Sequence, residues 1–160
     1  MKAVVQRVRN ASVTVESEIS GSIDLGLLVY LGVAGEDTEK DAEWMAEKIS
    51  NLRIFKDNQE KMNLSLLDII QSGGSSGFSI GVLAVSQFTL LADARKGRRP
   101  YYGAAAEPEK AKKLYEYFME KIREQGLACE AGVFQAHMDV SSINDGPVTI
   151  LLDSGEARSI

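Results

Sequence analysis

The sequence predicts an α+β fold, with mixed and antiparallel β-sheet packed against two main helices, and three observations lead there. Two-residue alternation and short apolar runs mark strands in both halves of the chain. Two longer stretches repeat apolar residues at helical spacing. The strands do not alternate regularly with these helices, which argues against a doubly wound parallel sheet. A chain of 160 residues, 44% apolar and 26% charged, is long enough for one domain, 1–160, with its own hydrophobic core.

Residues 2–8 read as a strand, with Ala3, Val5 and Arg7 on one face and Val4, Gln6 and Val8 on the other. Residues 12–16 alternate in the same way around Val13 and Val15. The continuous apolar run at 27–33 predicts a strand buried on both faces. Thr38 with Asp41 three residues on resembles a capping box, and Ala42, Met45, Ile49 and Leu52 then give the first helical stripe. A short helix is expected within 63–71, followed by a flexible Ser/Gly loop at 72–77. Residues 80–85 form a second buried strand, which runs into Ser86-Gln87-Phe88-Thr89-Leu90. Pro108 suits the first turn of a second helix, striped by Ala111, Tyr115, Phe118 and Ile122 and ended by Gly126. Two late strands, near 137–143 and 148–153, flank Asn144-Asp145-Gly146-Pro147.

Composition narrows the chemistry. Cys129 and His137 are the only cysteine and histidine, so no metal site can be built from a cluster of these types, and no metal or other cofactor is expected. A Ser-His-Asp triad would have to use His137, which reads as a solvent-facing or packed histidine. Cys129 lies among Leu127, Ala128 and Ala131 and reads as a buried, inert thiol. There is no Gly-x-Ser-x-Gly elbow and no phosphate-binding Gly-x-x-x-x-Gly-Lys. Hydroxyls, amides and backbone N–H groups remain, and these suffice where the bond to be cut is already activated. No apolar run is long enough to span a membrane, and the N-terminus is unlike a signal peptide; a cytoplasmic location is expected. The net charge is −5, the wrong sign for phosphate binding overall. Any RNA contact must be local, and residues 95–99 carry four cations in five positions.

Ser86-Gln87-Phe88-Thr89-Leu90 and Asn144-Asp145-Gly146-Pro147-Val148-Thr149 resemble the two signature motifs of the D-aminoacyl-tRNA deacylase family. Ala3-Val4-Val5-Gln6-Arg7-Val8, Leu52-Arg53-Ile54-Phe55, Lys61-Met62-Asn63, Lys96-Gly97 and Arg99-Pro100 resemble other segments of that family, in the expected order. The chain departs from the pattern at 70–79, which is longer than the short turn expected there. The resemblance implies a half-barrel-like core and a homodimer with two active sites at the subunit interface. It implies that Ser86, Gln87, Phe88 and Thr89 line the catalytic pocket for the 3′-terminal adenosine of an aminoacylated tRNA. Gly146 and Pro147 of one subunit would enter the partner's site as a Gly-cis-Pro chiral selector that rejects L-amino acids and admits D-amino acids and glycine. Arg7 resembles the residue that props this selector. Lys96, Arg98 and Arg99 are the expected contacts to tRNA phosphates, with Met138 placed beside them among the tRNA-binding residues. Two views of catalysis follow: Thr89 as nucleophile, or backbone amides near Phe88 with the 2′-hydroxyl of the RNA. The lack of a histidine base near Thr89 in the sequence favours the second.

Two other readings compete. One is a non-catalytic dimeric module that binds RNA or nucleotides through residues 95–99. The other is a small-molecule esterase or amidase unrelated to tRNA.

Overall fold

The computed structural model describes residues 1–73 and 79–157. Residues 74–78, half of the extended 70–79 segment, lie outside the described residues. The elements are β1 (Lys2–Val15), β2 (Glu18–Ile23), β3 (Leu25–Gly32), α1 (Glu39–Ser50), β4 (Phe55–Lys56) and β5 (Met62–Leu64). They continue with α2 (Leu66–Gln71), β6 (Ile80–Ser86), a 3-10 turn (Phe88–Leu91), α3 (Pro108–Glu124), β7 (Ala128–Ala131), β8 (Asp139–Asp153) and α4 (Ser154–Ala157).

The main sheet runs β2-β1-β3-β6-β7, with β8 on β1. β1 is antiparallel to β2, β3 and β8, whereas β6 is parallel to both β3 and β7. The sheet is therefore mixed, as expected. It curls into a half-barrel that brings β2 back towards β7. At Gly21 a methyl group would lie 2.5 Å from the Ala131 carbonyl oxygen, so only a residue without a side chain allows this approach.

Both faces of the curled sheet are apolar, and this explains the unbroken apolar runs of β3 and β6. Leu27, Val29, Leu31, Val82 and Ala84 pack under α1 and α3 in the larger core. Leu28, Leu83 and Val85 meet Val8, Ala11, Val13 and Ile23 on the opposite face. Phe118 and Ile122 of α3 and Met45 and Ile49 of α1 are fully buried, each contributing about 1.5–3 kcal/mol of transfer free energy. Asp41 accepts hydrogen bonds from the Thr38 N–H (2.8 Å) and hydroxyl (2.9 Å), which caps α1. Gly126, with φ +86°, follows the end of α3. The Met1 amino group is buried 2.7 Å from the Asp37 carboxylate, and the Ser154 hydroxyl donates to Asp41 at 2.8 Å, tying α4 to α1.

Several boundaries differ from the sequence reading. The stretches 2–8 and 12–16 are one strand, β1, because β8 pairs with both across two register shifts. The stretches 137–143 and 148–153 are likewise one strand, β8, beginning at Asp139. The helix expected within 63–71 begins only at Leu66, capped by Ser65, because Met62–Leu64 pairs with β4. Leu52 lies beyond the end of α1. The short strands β2, β4, β5 and β7 carry no pattern that the sequence reading marked as a strand.

Candidate functional site

The end of β6 delivers the Ser86–Thr89 segment to a cleft of about 590 Å³. Ser86 still pairs with Leu31 of β3, and the Gln87 N–H donates to the Leu31 carbonyl at 2.8 Å. The chain then turns into the 3-10 turn, whose first N–H groups have no partner within it. Ser86, Gln87 and Phe88 line the cleft together with His137 and Met138. Leu31, Val85, Ala106, Tyr115 and Phe134 supply apolar walls. Strands, a helix and the segment before β8 all converge here, and the sequence reading did not anticipate that the strand-end residues Leu31 and Val85 face it.

The titratable groups around the cleft are few. His137 lies 3.7 Å from Asp139, and both side chains are in solvent. Thr89 does not line the cleft. Its hydroxyl accepts a hydrogen bond from the Gln87 side-chain amide, and an amide is no base. Burial pushes the Tyr115 phenol up, so it stays protonated and donates to the Ala84 carbonyl at 2.9 Å. Burial also pushes the Cys129 thiol up to about 12, so it is inert and forms no pair with the exposed His137. Among the described residues, no group of three or more His, Cys, Asp or Glu side chains could hold a metal ion.

The second motif lies on a bulge of β8. Gln6 pairs with Thr149 and Val8 with Asn144, so residues 145–148 stand opposite the single residue Arg7. Two side chains, Arg7 and Asn144, fix this bulge. The Arg7 guanidinium lies 2.8 Å from the Asp145 carboxylate through Nε and donates to the Asp145 carbonyl at 3.2 Å. Its other nitrogen donates to the Ile54 carbonyl. The Asn144 side-chain amide closes the neck, donating to the Arg7 and Val148 carbonyls at 3.0 Å each. Gly146 and Pro147 are exposed at the tip, and the peptide between them is cis. They do not line this chain's own cleft. Asn144 and Asp145 hold the bulge from within the motif, and nothing in their residue types alone marks that role.

Lys96, Arg98 and Arg99 are exposed on the segment after the 3-10 turn, and none of them lines the cleft. Arg95 belongs to the same cation run but is engaged. Its guanidinium contacts Asp93 at 2.9 and 2.6 Å, and these bonds hold the Asp93 carboxyl well below the usual carboxylate range. Lys96, Arg98 and Arg99 make no such ion pair among the described residues.

The family model described as D-Tyr-tRNA(Tyr) deacylase matches residues 4–153. A D-aminoacyl-tRNA deacylase of Koribacter versatilis is 62% identical over 154 residues, 96% of this chain and 97% of that protein. One from Thermotoga petrophila is 55% identical over 156 residues, 98% of this chain and 99% of that protein. A solved structure described as a c-Myc DNA unwinding element binding protein superposes with a TM-score of 0.84 at 42% identity, covering 96% of this chain and 98% of that one. Another, described as "a probable eukaryotic D-amino acid tRNA deacylase", shares the fold at a TM-score of 0.77 and 15% identity, covering 94% and 97%.

Proposed function

This chain belongs to the D-Tyr-tRNA(Tyr) deacylase family, and from that premise we propose that residues 1–160 form a single domain that hydrolyses the ester joining a D-amino acid to the 3′ end of a tRNA. The observation that carries the reading is the cleft beside Ser86–Phe88, walled by apolar side chains and supplied with hydroxyl, amide and main-chain groups. An aminoacyl ester is activated enough for such a site. Water adds to the ester carbonyl, the bond to the ribose oxygen breaks, and that oxygen leaves with a proton. Main-chain N–H groups near Phe88 stabilise the oxyanion, each worth roughly 3–4 kcal/mol. The neighbouring 2′-hydroxyl of the RNA assists the proton transfer. Hydrolysis of D-aminoacyl-tRNA should therefore far exceed that of a simple alkyl ester of the same amino acid. Turnover of the simple ester without tRNA would favour the esterase reading, and RNA binding without any hydrolysis would favour the binding module.

Chirality is set at the shared site. Gly146 and Pro147 of one subunit enter the cleft of the other, where their main-chain carbonyls clash with an L side chain. A main-chain selector reads only the position of the β-carbon, so many D side chains pass, and glycine passes too. Arg7, Asp145 and Asn144 hold the selector through the contacts that fix the bulge. A shared site requires a homodimer. β8 pairs only with β1 among the described residues and presents the exposed side chains Ile143 and Leu151, which suits a contact with a second copy. Light scattering at micromolar concentration should give twice the 17.4 kDa chain mass. A monomer with full activity would remove the shared-site mechanism.

Thr89→Ala is expected to retain substantial activity, within about tenfold of wild type, because among the described residues the Thr89 hydroxyl meets the Gln87 amide and no base of the kind a nucleophile needs. Trapping an acyl-Thr89 species, or a fall to the uncatalysed rate with circular dichroism unchanged, would contradict this.

A further inference from the structure

Tyr101 is 72% exposed, yet its backbone is held in place. Its backbone exchanges two hydrogen bonds with Asp93, at 2.7 and 2.9 Å. Its ring lies directly over Gly103, where a methyl group would meet the ring at 2.2–2.4 Å. A side chain at 103 would push the ring aside, whereas Gly103 lets it rest there. Leaving most of a large aromatic ring in water gains little for folding. Next to it, Tyr102 packs edge-on against Phe88, with ring centroids 5.2 Å apart, and Phe88 is itself 58% exposed at the cleft. The segment pinned at its neck by the Asp93–Tyr101 pair carries Lys96, Arg98 and Arg99, which make no ion pair among the described residues. Exposed aromatic rings beside uncompensated cations are what a single-stranded nucleic acid binds: the cations take the phosphates and the rings take the faces of unpaired bases.

We propose that Tyr101 is a stacking platform for an unpaired nucleotide just upstream of the 3′-terminal residue, so that the protein grips the single-stranded end of its RNA and not only the terminal adenosine. This rests on the proposed function for the identity of the RNA. Tyr101 precedes Tyr102 in the chain, and Tyr102 packs on Phe88 at the cleft, so the strand runs from the cleft to Tyr101 with its backbone towards Lys96, Arg98 and Arg99. Stacking and charge contacts differ in their response to salt. A charge contact adds to the slope of log affinity against log salt, whereas stacking does not.

The test uses the full chain and an uncharged RNA oligonucleotide that carries the unpaired 3′ end of a tRNA and terminates in adenosine. Affinity is measured by titration over a range of salt concentrations, alongside D-aminoacyl-tRNA hydrolysis. Tyr101→Ala should weaken oligonucleotide binding by about tenfold or more and leave the salt slope unchanged. Tyr101→Phe, which keeps the ring, should restore it. A blunt duplex of the same sequence, with no unpaired base, should bind weakly and equally to both proteins. Equal affinity of wild type and Tyr101→Ala for the oligonucleotide would overturn the platform, as would a loss that Tyr101→Phe fails to restore. If wild type hydrolyses D-aminoacyl-tRNA while Tyr101→Ala binds normally, the platform fails and the function stands. If wild type hydrolyses nothing but binds the oligonucleotide through Tyr101, the function fails and the platform stands.

Discussion

Replacing Arg7 by alanine should lower kcat/KM for D-aminoacyl-tRNA by on the order of 100-fold, the usual scale when supporting contacts let a reacting group drift by an ångström. Arg7 is 4% exposed and stands alone opposite the four-residue bulge of β8. Its guanidinium grips the Asp145 carboxylate and carbonyl and reaches the Ile54 carbonyl on the other side. Truncation leaves Asp145 without its buried partner and releases one anchor of the bulge. Because Asp145 is partly open to solvent, the stability loss is roughly 2–4 kcal/mol, below that of a fully buried pair. For a chain of this size that lowers Tm by about 5–15 °C. Arg7→Lys keeps the charge but has a point-like ammonium in place of the planar fork. It should recover much of the stability and little of the activity, which separates holding the selector from merely supporting the fold. Wild-type kcat/KM and chiral preference in Arg7→Ala would exclude Arg7 as the selector's support.

The second large effect concerns Lys96, Arg98 and Arg99. Changing all three to glutamine should raise KM for aminoacyl-tRNA by about one to two orders of magnitude at low salt and lower the log–log salt slope by about 2–3. Three released phosphate contacts account for that slope. Arg95→Gln is the internal control: its guanidinium is already occupied by Asp93, so it should change the slope less than any of the three. Unchanged binding of the triple variant at every salt concentration would mean that this segment is only a solvated surface.

The sequence was most legible where the signal is local. The stripe of α3 and the cap of α1 follow from helical spacing and from one Thr–Asp pair, and both helices start where the pattern puts them, although α1 ends before Leu52. The β8 bulge was not legible, because Asn144-Asp145-Gly146-Pro147 has the composition of a turn. Only pairing with β1 on both sides shows that the strand continues beyond it. β7 is four residues long with one buried apolar side chain, too little for a period. The motifs were visible as words, but the cleft was not. It is assembled from strand ends, a helix face and the segment before β8, brought together only by the curl of the sheet. Asn144 illustrates the remainder: its place in a motif can be read, but its bridge between the Arg7 and Val148 carbonyls exists only once the bulge has formed. Arg95 shows the reverse, since a cation counted in the sequence is cancelled by Asp93 two residues earlier.

Deacylation of D- and L-tyrosyl-tRNA, measured side by side with the protein in excess, separates a chirally selective deacylase from every other reading of this chain. D-tyrosine should be released rapidly while L-tyrosyl-tRNA persists at its spontaneous rate. Hydrolysis of both at similar rates, or of neither, would contradict a chirally selective deacylase.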